Sequence, residues 1–312
     1  MKYNTFYLAT LTALSGLLFF ACSSDTDLMS EKPNVPTLKG GTGKVEICHF
    51  DNYTGEYETL SVSVKSAEKH LAHGDYVGAC IVDADGDGVN DDIDLCPDTP
   101  AGEVVDTDGC SFFQKVGNGL LAWYPFNGNY NDESGNNNNG TLVGTVPFIN
   151  DRNGNSNSAI QGGSGYIPTT NFFKFQRDET FTFSTWVNLL SGTNSSGRLV
   201  STESNEGHFR VGANNGALAL QFGDYVWTPQ MTLNEWHHVV YVYDNRNEYI
   251  YVDGVLEVTN YDPVNEALNY SRPFTIGAKA APAHDLWRHV MDDIGVWNRP
   301  LSEEEILYLY NN

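Results

Sequence analysis

The chain has 312 residues, with 40 Asp+Glu against 17 Lys+Arg and a formal charge of −23. That excess argues against nucleic acid and anionic membrane surfaces as partners, and 40% apolar content excludes wholesale disorder. It leaves cations, above all Ca²⁺, whose ligands are carboxylates, and a length sufficient for about two domains' worth of core.

Lys2 precedes an apolar run from Phe6 to Phe20, too short to span a membrane and patterned like the charged and apolar regions of a secretory signal peptide. The run ends in Phe19-Phe20-Ala21-Cys22, which resembles the lipobox of bacterial lipoproteins. The resemblance implies a signal peptide over 1–21, lipidation of Cys22 and attachment to the outer membrane through an N-terminal lipid anchor. Ser23-Ser24-Asp25-Thr26-Asp27 is similar to the acidic tether that some Gram-negative lipoproteins use for surface export. Residues 22–43 read as a flexible tether.

Beyond Cys22 the chain has Cys48, Cys80, Cys96 and Cys110, an even number that reads as disulfides in an exported chain. Three pairings are open. The local one, 48–80 with 96–110, is the simplest because each bridge closes one small module.

The first module covers 44–80. Alternation from Thr59 to Val64 predicts a strand, and Ser66 is a candidate N-cap for a helix over Ala67–Ala72. His70 and His73 then share a helix face and, with His49, are candidates for Zn²⁺. The alternative is a disulfide-stapled knot with solvent-facing histidines. The pattern Cys48-His49 … His70-Leu-Ala-His73-Gly-Asp75 … Cys80 resembles a short module of bacterial surface proteins.

Residues 81–112 follow. Within 81–119 there are 10 acidic residues and 1 basic. Asp83, Asp85, Asp87, Asp91 and Asp94 occupy positions 1, 3, 5, 9 and 12 of a loop that Gly86 and Gly88 allow to turn tightly. Carboxylates this close repel one another without a cation. The loop, with Cys80 and Cys96-Pro97 as flanks and a continuation through Asp106-Thr-Asp108-Gly-Cys110, resembles a thrombospondin type 3 repeat. That resemblance implies bound calcium, with Asp83, Asp85, Asp87, Asp91, Asp94 and the Val89 carbonyl as ligands, and Asp106 and Asp108 at a second site.

From 118 to 312 the pattern is all-β. Strands are predicted at Leu120–Phe126, Phe181–Val187, Arg198–Ser201, His208–Gly212, Ala217–Phe222, Trp236–Asp244, Glu248–Val252, Val255–Val258, Phe274–Ala278 and Val290–Trp297. Asp253-Gly254 is a two-residue hairpin turn. Ser302-Glu-Glu-Glu305 is a capping box for one terminal helix. Trp186 is out of phase with Phe181 and Phe183, so both faces of that strand are expected to be covered. Many short strands predict a two-sheet antiparallel jelly-roll sandwich. Leu121-Ala-Trp-Tyr-Pro-Phe-Asn127-Gly, Glu235-Trp-His-His-Val, Tyr251-Val-Asp-Gly and Asp293-Ile-Gly-Val-Trp-Asn-Arg-Pro resemble laminin G-like, concanavalin A-like domains. The resemblance implies a further calcium site at Asn127, Asp132 and Asp292.

No Glu-x-Asp-x-x-Glu strand motif and no Gly-x-Ser-x-Gly elbow occurs, so the expectation is a binding protein and not an enzyme. Tyr225, Trp227, His284, Trp287 and Arg288 are the candidate ligand-binding residues, because sugar recognition uses flat aromatics beside polar groups. The expected function is adhesion, or recognition of a glycan or extracellular protein ligand, by a surface-anchored calcium-binding lipoprotein. The alternatives are a structural spacer in a surface complex, and an accessory to or remnant of a polysaccharide hydrolase.

Overall fold

The computed structural model describes residues 43–171, 173–192, 197–202, 209–214, 216–222, 225–263, 273–279 and 285–312. The Cys22 and His284 expectations lie outside these residues. The chain divides into two compact units, Met1–Val82 and Asp83–Asn312. Among the described residues no helix is long and apolar enough to cross a membrane.

The first unit contains β1 (Lys44–Asp51), β2 (Glu56–Ser63), α1 (Val64–Leu71) and β3 (Tyr76–Val77), with the three strands ordered β2-β1-β3. The strand starts earlier than the alternation predicts, and the helix follows it directly. Ser63, not Ser66, is the N-cap, and its hydroxyl accepts from Ser66 N at 3.2 Å. Cys48 and Cys80 are bridged.

The second unit opens with the acidic loop, closed by a Cys96–Cys110 bridge, so the local pairing is the one formed. A short helix that the sequence reading missed, α2 (Phe112–Val116), follows. Its signal was present: Ser111 and Gln114 form a reciprocal capping box. Then come β4 (Leu120–Tyr124), β5 (Phe148–Ile149), β6 (Ala159–Gln161), β7 (Ile167–Pro168), β8 (Thr180–Asn188), β9 (Arg198–Ser201), β10 (Arg210–Asn214), β11 (Ala217–Gln221) and β12 (Tyr225–Trp227). The chain finishes with β13 (Trp236–Asp244), β14 (Asn247–Val252), β15 (Val255–Tyr261), β16 (Thr275–Ile276), β17 (Val290–Trp297) and α3 (Glu303–Asn311).

These strands form an antiparallel sandwich. One sheet runs β12-β11-β10-β9-β16-β7, and the other β15-β14-β13-β8-β17-β6-β5, with β4 also paired to β17. Phe181, Phe183 and Val187 of β8 enter the main core with Val239, Tyr241 and Tyr243 of β13. Alternate residues face the other side of the larger sheet, where Val240, Val242 and Trp297 pack with Ile306 and Leu309 of α3 and Val116 of α2. The sequence implied this second layer through Trp186 of β8, which is out of phase with Phe181 and Phe183 and shares its face with the buried Thr182 and Ser184. The β14–β15 hairpin has Asp253 and Gly254 both at positive φ, as a two-residue turn of this type requires. The β13–β14 turn is also two residues, Asn245 and Arg246, one shorter than the sequence suggests. α3 begins where its capping box places it, with Ser302 Oγ accepting from Glu305 N.

Candidate functional site

The acidic loop folds around its own backbone. Asp83 accepts from Gly86 N at 2.9 Å and Gly88 N at 3.0 Å, and Asp91 accepts from Ala84 N at 2.8 Å. Asp85 Oδ2 takes Thr99 N at 2.7 Å, which folds the following segment back on the loop. Asp87 and Asp94 each use Oδ1 for a backbone N–H, from Val89 and Cys96, while their Oδ2 atoms are buried with no hydrogen-bond partner among the described residues. The two carboxyls converge beside Gly109. A Cβ there would collide with the Asp94 carboxyl and stand 3.3 Å from Asp87 Oδ2. Buried, unpaired carboxylate oxygens are costly without a cation. The donor set is all oxygen, and Asp83, Asp85 and Asp87 lie close enough to share one ion, so these residues fit Ca²⁺.

Asp106 and Asp108 differ. Lys115 Nζ lies 3.3 Å from Asp106 and 3.2 Å from Asp108, so an ammonium group supplies the cation there. Burial alone would raise the Asp106 carboxyl, but hydrogen bonds from Asp108 N, Cys110 N and Lys115 hold it below the ordinary range. The expected second site therefore has its positive charge built in.

At the sandwich site expected at Asn127, Asp132 and Asp292, both carboxylates have partners within the protein. Asp132 Oδ1 accepts from Trp123 N and Ser134 N, and Oδ2 from Asn138 N, so this carboxylate organises its own loop. Asn127 is exposed. Asp292 lies 3.3 Å and Asp293 2.6 Å from Arg152 Nη1. A register shift in β17 and the positive φ of Asp293 turn these adjacent carboxylates toward one guanidinium, which also lies 4.5 Å from the Trp186 ring centre. Burial first, then the Asp293 charge, pushes Asp292 up to about 9 against the pull of Arg152. The cation at this edge is an arginine.

The aromatic candidates separate. Trp287 is 0% exposed and belongs to the main core, which removes it as a ligand platform. Tyr225 and Trp227 are 47% and 43% exposed on β12, with ring centres 6.2 Å apart and planes at 26°. The Arg210 guanidinium lies 4.7 Å above the Tyr225 ring. Arg288 is exposed, in the segment leading to β17. The two exposed rings of the edge strand β12 and Arg210 of β10 thus form one patch.

A cleft of about 520 Å³ between the acidic loop and the sandwich was not foreseen. Phe112, Trp123 and Tyr308 line it with Asp106, Arg152 and Asp293. No local pattern marks it, because its walls come from segments about 200 residues apart.

No curated protein matches the chain. Among solved structures, domain 4 of an extracellular GH43 arabinanase from Geobacillus stearothermophilus, in complex with arabinotriose, is similar at 16% identity and TM-score 0.49, over 61% of this chain and 98% of that one. The binding domain of Paraclostridial Mosquitocidal Protein 1 is similar at 19% identity and TM-score 0.49, over 62% of this chain and 52% of that one. The binding domain of botulinum neurotoxin DC, in complex with rat synaptotagmin II, gives 17% identity and TM-score 0.50, over 63% and 52%. The chain spans about half the length of those two toxin domains, and the likeness is one of fold. Residues 161–307 match the family model described as the concanavalin A-like lectin/glucanases superfamily, and the C-terminal sandwich has the concanavalin A-like fold.

Proposed function

We propose that this chain is an exported binding protein, anchored to the outer membrane through lipidated Cys22, whose sandwich recognises a carbohydrate or an extracellular protein. The observation that carries the reading is the exposed Tyr225–Trp227 pair beside Arg210. Two nearly parallel rings on an edge strand offer apolar faces to sugar C–H groups or to a partner's side chains, with a guanidinium at hand for a polar contact. The similar solved structure named as the binding domain of botulinum neurotoxin DC supports the same reading.

The acidic loop holds Ca²⁺ through Asp83, Asp85, Asp87, Asp91, Asp94 and the Val89 carbonyl. The support is the all-oxygen donor set and the two buried oxygens that lack partners. Bound Ca²⁺ neutralises the mutual repulsion of these carboxylates. Asp106, Asp108 and the Asn127–Asp132–Asp292 trio are not part of this proposal. The domain's task is binding and not turnover.

A glycan and matrix-protein array probed with the chain from residue 23, in Ca²⁺, tests the reading. Binding that Trp227→Ala weakens at least tenfold supports it. Silence across the array favours a structural spacer, and turnover of any polysaccharide overturns it.

A further inference from the structure

The N-terminal unit contains a cluster that ligand recognition by the sandwich does not use. His49 lies on β1 beside the bridged Cys48, His70 in the last turn of α1, and Asp75 just ahead of β3. The Nδ1 atoms of both histidines lie 2.8 Å from the same oxygen, Asp75 Oδ2. The expected His49–His70–His73 grouping is thereby replaced. α1 ends at Leu71, so His73 no longer continues the helix face of His70, and Asp75 takes the third place.

We propose that His49, His70 and Asp75 bind one divalent transition-metal ion of the Zn²⁺ class. Two neutral imidazole nitrogens and one carboxylate oxygen suit Zn²⁺, Co²⁺, Ni²⁺ or Cu²⁺, whereas Ca²⁺ and Mg²⁺ prefer oxygen alone. The spacing is close to what such an ion needs. Tetrahedral ligands, each about 2.0–2.1 Å from a metal, stand about 3.3–3.4 Å apart, so the 2.8 Å separations have to open by about 0.5 Å. An ion can therefore enter with small shifts of the rings.

The carboxylate is held in advance. The Asp75 side chain is 5% exposed, and Oδ1 accepts from Phe50 N at 3.3 Å. The His70 carbonyl takes the N–H of both His73 at 3.0 Å and Asp75 at 3.2 Å, which fixes how Asp75 returns toward His70. Both imidazole rings remain partly exposed, so an ion has a path in and water can fill the other coordination positions. The competing account is a pair of hydrogen bonds with no metal. It requires a proton on both Nδ1 atoms, whereas coordination requires a lone pair on both.

The test uses the full chain with both disulfides intact and saturating Ca²⁺, so that the carboxylate sites are filled. Zn²⁺ is titrated by calorimetry. One site is expected, weakened at least about 100-fold by His49→Gln or His70→Gln and at least about tenfold by Asp75→Asn, and unchanged in His73→Gln. In the native chain, nitrogen-15 NMR of the imidazoles should show the Nδ1 protons of His49 and His70 lost on Zn²⁺ addition, a readout that needs no variant to fold. No binding by the native chain, binding that survives both histidine variants, or Nδ1 protons that persist at saturating Zn²⁺ overturns the proposal.

Discussion

The Trp297 indole Nε1 donates to the Val116 carbonyl at 2.6 Å, across 181 residues of chain. Beside it, Arg299 Nε donates to Asn118 O at 2.6 Å and pairs with Glu305 of α3. Phe112 of α2 packs on Trp123 of β4, with ring centres 4.5 Å apart and planes tilted by 41°. The acidic loop reaches the sandwich through α2, and these contacts join the two into a single compact unit.

Trp297→Phe keeps most of the ring and removes the donor, leaving the Val116 carbonyl without its partner. A loss of about 1–3 kcal/mol in the stability of the second unit is expected, measured by urea unfolding. Cleavage near 112–118 under limited proteolysis should accelerate. An unchanged unfolding midpoint and cleavage rate would show that this junction does not hold the two parts together.

Asp87→Asn and Asp94→Asn test the cation role of the loop. Extracellular Ca²⁺ modules bind at about 10⁻⁴–10⁻³ M, and calorimetry on the native chain should give that affinity or tighter. Each variant should bind more weakly, and its thermal midpoint should respond less to Ca²⁺. Native-like Ca²⁺ binding by both variants would remove these carboxylates from the ligand set.

Trp227 and Trp287 separate surface from core. Trp287→Ala leaves a cavity in the sandwich and should cost about 3–5 kcal/mol by urea unfolding. Trp227→Ala should change stability by less than about 1 kcal/mol while weakening ligand capture. Similar destabilisation by both would place Trp227 in the packing instead.

His238 sets an acid limit. It is buried beside Ser184 Oγ, 2.8 Å from Nε2, and burial first, then the Arg152 charge, pushes its pKa down to about 3. The ordinary value of 6.5 applies once the chain unfolds. Above pH 6.5 both states are neutral and the stability is fully present. As the pH falls from 6.5 toward 3, only the unfolded state takes up the proton, and stability drops by about 1.4 kcal/mol per unit. Between pH 7 and pH 4.5, the native chain should lose about 2–3 kcal/mol more than His238→Gln, as read by urea unfolding. Parallel losses would show that His238 does not carry this acid limb.

Much of the sandwich was legible because alternation and turn chemistry are local. β9, β13 and β17 have the expected bounds, as does the start of α3 at its capping box. The two- and three-residue strands β5, β6, β7 and β12 are too short to show a period, and pairing with neighbouring strands defines them. The burial of Trp287 follows from packing that no loop sequence announces. The Arg152 contacts depend on the shift in β17, which breaks the alternation used to assign faces. The histidine cluster was half legible: His49 and His70 were named, but the helix end that brings in Asp75 was not.

The route by which the chain enters the sandwich has a mechanical consequence. Tension applied upstream of residue 83 arrives at α2, where the attachments it meets include the Val116–Trp297 bond and the Phe112–Trp123 contact. The Cys96–Cys110 bridge takes the intervening loop out of the stretchable length. Pulling would strain β4 against β17 before it reached the edge strand that carries Tyr225 and Trp227. A ligand held on that strand would sit outside the path of the force, on the opposite sheet.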